Sequence, residues 1–84
     1  MTCVYIRYFA SLREDLNTSG EQIETAAATL GALRDELIAR GGAHARALAR
    51  GRAVRMALNQ VMRGEDAALI EGCEVAFFPP VTGG

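Results

Sequence analysis

The sequence predicts an α+β fold in which a mixed β-sheet packs on one main helix. Residues 3–9 and 73–78, one stretch near each end of the chain, are rich in β-branched and aromatic residues and have the length of strands. Between them, residues 30–40 repeat leucine at helical spacing. Two terminal strands with one strong helix between them are typical of a two-layer α+β domain.

The first third of the chain is predicted to form two strands joined by a short connection. Residues 3–9 alternate with a period of two, which defines an inward face. That predicted face is Val4, Ile6 and Tyr8. Leu12 and Leu16 predict a helical turn or an ordered loop over residues 10–16, and residues 17–20 have the composition of a turn. Residues 21–26 are a weaker strand candidate.

The main helix is predicted over residues 30–40. Thr29 is a suitable N-cap, and Gly41-Gly42 ends the helix after a basic last turn. Residues 43–50 are rich in alanine and arginine and predict a second, short helix. Because only Leu48 could anchor that helix, we expect it to be peripheral.

The last third is predicted to contain two or three strands. Residues 54–59 alternate like a half-buried strand, and residues 61–62 add a brief one after a turn. Leu69-Ile70 is expected to supply an apolar anchor before the final strand, residues 73–78. The order of two strands, a helix and further strands matches the β-grasp, or ubiquitin-like, arrangement. In that arrangement the first and last strands are central, parallel neighbours.

Composition limits the possible functions. The 84 residues suffice for one domain, and a net charge of −1 predicts no binding to nucleic acid or acidic membranes. No leader or membrane-spanning run is evident, so we expect a cytoplasmic protein, in which Cys3 and Cys73 stay reduced. Those cysteines and the single histidine, His44, have no ligand spacing, which predicts no metal site.

Side-chain catalysis finds little support in the sequence. His44 has no candidate nucleophile nearby and is interpreted as a solvated helix residue. The carboxylate pairs Asp35-Glu36 and Glu65-Asp66 are interpreted as solvated faces rather than acid–base pairs. Because no phosphate-binding or dinucleotide-binding glycine motif is present, we expect the chain to bind no cofactor and to be non-catalytic alone.

The C-terminal residues predict an extended tail. Pro79-Pro80 cannot continue strand pairing beyond Phe78, so a domain over residues 1–78 is expected to end in a flexible tail over residues 79–84. Six extended residues reach about 20 Å. Because Gly83-Gly84 lacks side chains, the end of the tail could enter a channel too narrow for any other residue.

The sequence resembles the small subunit of molybdopterin synthase, a ubiquitin-like sulfur carrier. The resemblance is carried by Ala57-Leu58-Asn59-Gln60, by Leu69 with Glu71-Gly72, and most specifically by residues 74–84, EVAFFPPVTGG. It implies that an E1-like adenylyltransferase uses ATP to adenylate Gly84. A sulfur donor system then replaces AMP, and the Gly84 thiocarboxylate enters the large subunit of the synthase. There it would donate sulfur to cyclic pyranopterin monophosphate, which forms the molybdopterin dithiolene.

In this interpretation Gly84 carries the chemistry and the preceding residues contact the partner. The expected partner-binding residues are Phe78, Pro79, Pro80, Val81, Thr82 and Gly83. Phe78, Ala76 and Val81 are expected to form an apolar docking patch around the root of the tail. Core packing of Phe78 is the equally simple alternative.

Three other functions stay open. A sulfur carrier for another product, of the thiamine thiazole type, would share the fold and the diglycine end. A ubiquitin-like protein modifier would join target lysines through Gly84, although the chain itself contains no lysine. A purely structural interaction domain would not need Gly83 and Gly84.

Overall fold

The computed structural model describes residues 1–79. Its elements are five strands in a single sheet and three helices. In chain order they are β1 (Thr2–Tyr8), α1 (Ser11–Leu16), β2 (Gly20–Thr25), α2 (Leu30–Ile38), α3 (Gly42–Ala47), β3 (Arg55–Leu58), β4 (Val61–Arg63) and β5 (Cys73–Phe78). The predicted α+β architecture is therefore confirmed, with boundaries that differ by a few residues.

The five strands form one mixed sheet in the order β2-β1-β5-β3-β4. Strands β1 and β5 pair in parallel in its interior, with Ile6 opposite Val75, and the other three pairings are antiparallel. The predicted parallel neighbours are thus confirmed. The inward face of β1 is also as predicted, since Val4, Ile6 and Tyr8 are at most 2% exposed. Phe77 of β5 stacks on Tyr8 with ring centroids 6.0 Å apart.

Helix α2 covers the inner face of the sheet and begins where the sequence predicts. The Thr29 hydroxyl accepts a hydrogen bond from the Ala32 amide at 3.1 Å, which caps the helix. Its three leucines are fully buried, and each contributes about 1.5–3 kcal/mol of burial free energy. They are Leu30, Leu33 and Leu37.

The predicted second helix is confirmed, although it is shorter than expected. Its predicted anchor, Leu48, follows α3 directly and is fully buried, and Ala47 at the end of α3 is 1% exposed. Arg34 of α2 fixes this segment in place. Its guanidinium is buried and donates to the carbonyls of Leu48, Ala49 and Arg52 at 2.7–2.9 Å. Directed hydrogen bonds to backbone carbonyls therefore hold α3 and the following loop against the core.

Two further expectations need correction. Leu69 packs against the core as predicted, but Ile70 is 58% exposed because the chain turns outward before β5. His44 is not a solvated helix residue, since its side chain is 21% exposed and its ring lies edge-on to Tyr8. Strand β5 ends at Phe78, while the separate tail over residues 79–84 stays a prediction.

No helix in the described part of the chain is long and apolar enough to cross a membrane.

Candidate functional site

The root of the predicted tail is held from both sides of β5. The Phe9 amide donates to the Phe77 carbonyl at 3.2 Å, and Phe78 is paired with Arg55 of β3. Pro79 follows directly and is partly buried. These contacts fix the point at which the chain leaves the sheet. The other predicted site residues, Pro80, Val81, Thr82, Gly83 and Gly84, lie outside the described residues.

An apolar surface surrounds this exit point on the face of the sheet away from the helices. We name it the sheet-face patch and define it as Phe9, Met62, Ala76 and Phe78. The rings of Phe9 and Phe78 are stacked with centroids 4.7 Å apart, within the range of a favourable aromatic pair. Together with neighbouring side chains, the patch lines an open cavity of about 320 Å³.

Strand alternation and register explain why these residues meet. The residues on β1 and β5 that do not face the core point to the outer face, and there Arg7 lies opposite Ala76. Ala76 in turn lies opposite Ala57, and Ala57 opposite Met62. The small side chains of Ala57 and Ala76 leave a depression in the surface, and larger side chains flank it.

The sheet-face patch is accessible and apolar, but its rim is charged. Phe9 is 36% exposed and Met62 54% exposed, unusual fractions for large apolar side chains. The Arg7 guanidinium lies 5.9 Å from the Phe9 ring centroid, and Glu74 lines the same cavity. An apolar centre with charged edges is the anatomy of a protein-docking surface.

A second group of ionisable side chains lies on the opposite face of the sheet. The Tyr8 hydroxyl donates to Glu21 at 2.9 Å, and Arg40 donates to both oxygens of the same carboxylate at 2.8 and 3.0 Å. His44 lies 3.7 Å from that carboxylate. This group connects β1, β2 and α3 with Arg40, which follows α2.

The pKa values of this group fit a structural role. Burial raises the pKa of Tyr8, and the neighbouring Glu21 carboxylate raises it further. Burial alone would raise the pKa of Glu21, but hydrogen bonds from Arg40 and Tyr8 outweigh it and hold that pKa below its usual value. A tyrosine kept neutral and a carboxylate kept ionised suit a permanent hydrogen bond better than proton transfer.

The described residues offer little else for chemistry. Within residues 1–79, no three histidine, cysteine or acidic side chains lie close enough to hold a metal ion. Cys3 and Cys73 are both free thiols. Of the carboxylates predicted to be solvated, Asp35 and Glu65 are exposed. Each accepts a hydrogen bond from Arg50.

Comparison with known proteins decides the family. A family model described as ThiS family matches residues 6–84, nearly the whole chain and all of the predicted tail. The chain belongs to the ThiS family. Its strand order and its main helix are those of the ubiquitin-like β-grasp fold, so the fold predicted from the sequence is confirmed.

Two relatives of this ThiS-family chain carry the same name, molybdopterin synthase sulfur carrier subunit. The protein from Haemophilus influenzae is 39% identical over 79 residues, which cover 94% of this chain and 96% of the relative. The protein from Escherichia coli is 38% identical over 81 residues, 96% of this chain and 99% of the relative. The resemblance noted in the sequence is therefore confirmed over nearly the full length.

Solved structures of similar proteins include a complex and a modifier. This chain is similar to subunit 1 of molybdopterin-converting factor from Helicobacter pylori, solved in complex with subunit 2. The TM-score is 0.68 and the identity 24%, over 99% of this chain and 100% of that chain. SAMP1 from Haloferax volcanii, a small archaeal modifier protein, has a TM-score of 0.76 and 25% identity, covering 98% and 99%. The first likeness shows the fold alone.

Sequence reasoning identified part of this ThiS-family surface. It placed Phe78 and Ala76 in one apolar patch, and both line the cavity described above. It missed Phe9 and Met62. Continuing the alternation of the predicted strand over residues 3–9 turns Phe9 to the outer face, and this could have indicated Phe9. Met62 depends on the register of β4 on β3, which the sequence pattern does not specify.

Proposed function

We propose that this chain is the sulfur carrier subunit of a molybdopterin synthase and that Gly84 carries the sulfur as a thiocarboxylate. The observation that carries the proposal is the match, through residue 84, to a family whose relatives at 38–39% identity have that name. The strand that ends at Phe78, with an apolar surface around its exit, supports the same role.

The proposed chemistry uses the backbone of Gly84 rather than any side chain. An E1-like adenylyltransferase binds ATP, and the Gly84 carboxylate attacks the α-phosphorus and releases pyrophosphate. Sulfide-level sulfur from a donor system then attacks the carbonyl carbon of the mixed anhydride, the bond to AMP breaks, and AMP leaves a thiocarboxylate behind. The carrier itself binds no cofactor in this scheme. Both free thiols suit a reducing cytoplasm, where we place the protein.

Transfer takes place in the large subunit of the synthase, the partner that accepts the tail. A thiocarboxylate hydrolyses readily, so the partner must enclose it, and Pro79 to Gly83 form the narrow segment that would reach inside. Docking on the sheet-face patch would fix the root of the tail while Gly84 reaches cyclic pyranopterin monophosphate. Subunit 1 of the Helicobacter pylori factor, which has the same fold, forms a complex with its subunit 2.

An intact-mass measurement tests the proposal. The chain is incubated with its cognate adenylyltransferase, ATP and a sulfur donor, with a reaction lacking ATP as the control. Replacement of one carboxylate oxygen by sulfur is expected to add about 16 Da. An unchanged mass would contradict the proposal, provided that the same adenylyltransferase preparation is active on another sulfur carrier.

A second candidate is a protein modifier, because the fold and length also match SAMP1. In that case the Gly84 carboxyl would form an isopeptide bond with a target lysine. Such an adduct survives denaturant and excess thiol, whereas a thiocarboxylate carrier leaves no adduct. Denaturing gel electrophoresis of cell extracts with a tagged chain distinguishes the two functions.

A sulfur carrier for a thiazole product is a further alternative. It is distinguished by a transfer assay in which the thiocarboxylate is offered the acceptor of each pathway in turn.

Replacement of Phe78 by alanine is expected to weaken binding of the large subunit by about tenfold or more, because it removes half of the aromatic stack at the centre of the sheet-face patch. Isothermal titration calorimetry measures this change. Ile70→Ala is the matched control, since Ile70 is exposed and apolar but precedes the opposite end of β5. Equal weakening by both variants would argue against a localised docking surface.

A further inference from the structure

We propose that the primary amide of Gln60 is a recognition group of the docking surface and hydrogen-bonds a backbone peptide group of the large subunit. The proposal deepens the proposed function and rests on it. Its first support is backbone strain. Four non-glycine residues within residues 1–79 have positive φ, namely Ala10, Asn17, Asn59 and Gln60. Asparagine tolerates this conformation well, whereas alanine and glutamine do not.

Gln60 occupies a turn position that favours glycine. The hairpin between β3 and β4 turns over Asn59 and Gln60, with φ of 49° and 69°, the pattern of a type I′ turn. Asn59 has a structural reason to be there, because its side-chain oxygen accepts from the Glu74 amide at 2.9 Å. The Gln60 side chain makes no hydrogen bond with any described residue and is exposed. Folding alone therefore favours glycine over glutamine at position 60.

Both strained residues border the same surface. Gln60 lines the cavity of the sheet-face patch. Ala10 follows Phe9, with φ 52° and ψ −129°, and the Leu12 amide closes this turn on the Phe9 carbonyl at 3.1 Å. Strain of this kind persists where a site requires the residue that bears it. The two sterically costly backbone conformations thus coincide with the surface proposed to dock the partner.

The chemistry of the amide indicates what it recognises. A glutamine side chain offers two N–H donors and one carbonyl acceptor, which complement the carbonyl and N–H of an extended peptide segment. At the edge of an apolar cavity, docking removes water from this amide. An unpaired amide would then oppose binding, so the group favours a partner that presents backbone at this point.

Two variants separate the amide from the strain. Gln60→Ala keeps a non-glycine residue in the turn and removes only the amide, whereas Gln60→Gly removes the amide and relieves the strain. By calorimetric titration with the large subunit, both are expected to bind about 5- to 30-fold more weakly than wild type. Gln60→Gly is also expected to raise the melting temperature by about 2–6 °C, while Gln60→Ala leaves it unchanged.

Asn17→Gly is the matched control, since Asn17 also has positive φ but does not line the cavity. It should bind the large subunit like wild type. If Gln60→Ala binds within about twofold of wild type while Phe78→Ala binds weakly, the recognition role is overturned and the proposed function stands. A fall in melting temperature for Gln60→Gly overturns the strain argument. A wild-type chain that does not bind the large subunit overturns the proposed function, and this role with it.

Discussion

A chain that ends at Gly83 is expected to lose sulfur transfer by at least about 100-fold, because the carboxyl group then falls short by one residue, and misplacement by about 1 Å can already cost that much. Its melting temperature should stay within about 2 °C of wild type, since glycine buries no side chain. Single-turnover transfer assays with the large subunit and thermal melts monitored by circular dichroism measure the two quantities.

Two controls make this result specific to the position of the carboxylate. Ile70→Ala keeps the tail intact, lies outside the expected partner-binding residues and should transfer sulfur at nearly the wild-type rate. Gly84→Ala keeps the reach but adds a methyl group, and is expected to fail if the partner's channel admits only glycine. Transfer by the shortened chain, or a large loss of stability, would contradict the division of the molecule into a folded body and a reactive end.

Replacement of Arg34 by methionine is expected to lower the free energy of unfolding by about 3–5 kcal/mol. The variant leaves the carbonyls of Leu48, Ala49 and Arg52 without their donor in a buried setting, since Arg34 is only 3% exposed. The melting temperature of a domain this small should fall by about 15 °C or more. Urea denaturation followed by circular dichroism measures the loss.

Arg50→Met is the control for Arg34, because both arginines pair with Glu65 but Arg50 lies at the surface. Its side chain is 42% exposed and pairs with Asp35 and Glu65. Exposed pairs contribute little, so the expected loss is about 1 kcal/mol or less. Similar losses for the two variants would show that charge pairing, rather than the buried hydrogen bonds to the loop, holds α3 in place.

The contrast between these arginines explains which parts of the fold could be predicted. Period-two alternation identified the inward face of β1, and leucine spacing identified α2, because both patterns arise within a few residues of each other. Burial of Arg34 depends instead on three carbonyls brought together from a distant segment. Nothing in the local sequence distinguishes it from the exposed Arg50, so the role of Arg34 in holding the segment after α3 was missed.

The candidate site divides in the same way. The end of β5 at Phe78 was predicted from local chemistry, because Pro79 and Pro80 cannot donate to the ladder of an interior strand. The contributions of Phe9, Met62 and Gln60 depend on which strands are neighbours and in what register. Such pairings connect residues far apart in the sequence, and a one-residue shift of β4 would turn Met62 to the other face.

The parallel pairing of β1 with β5 also has a consequence for folding. Both strands lie in the interior of the sheet, yet the other described elements separate them along the chain. Contacts between residues so far apart in sequence form slowly, because the loop between them must be closed. The surface around Phe78 is therefore expected to form late in folding, together with the interior of the sheet.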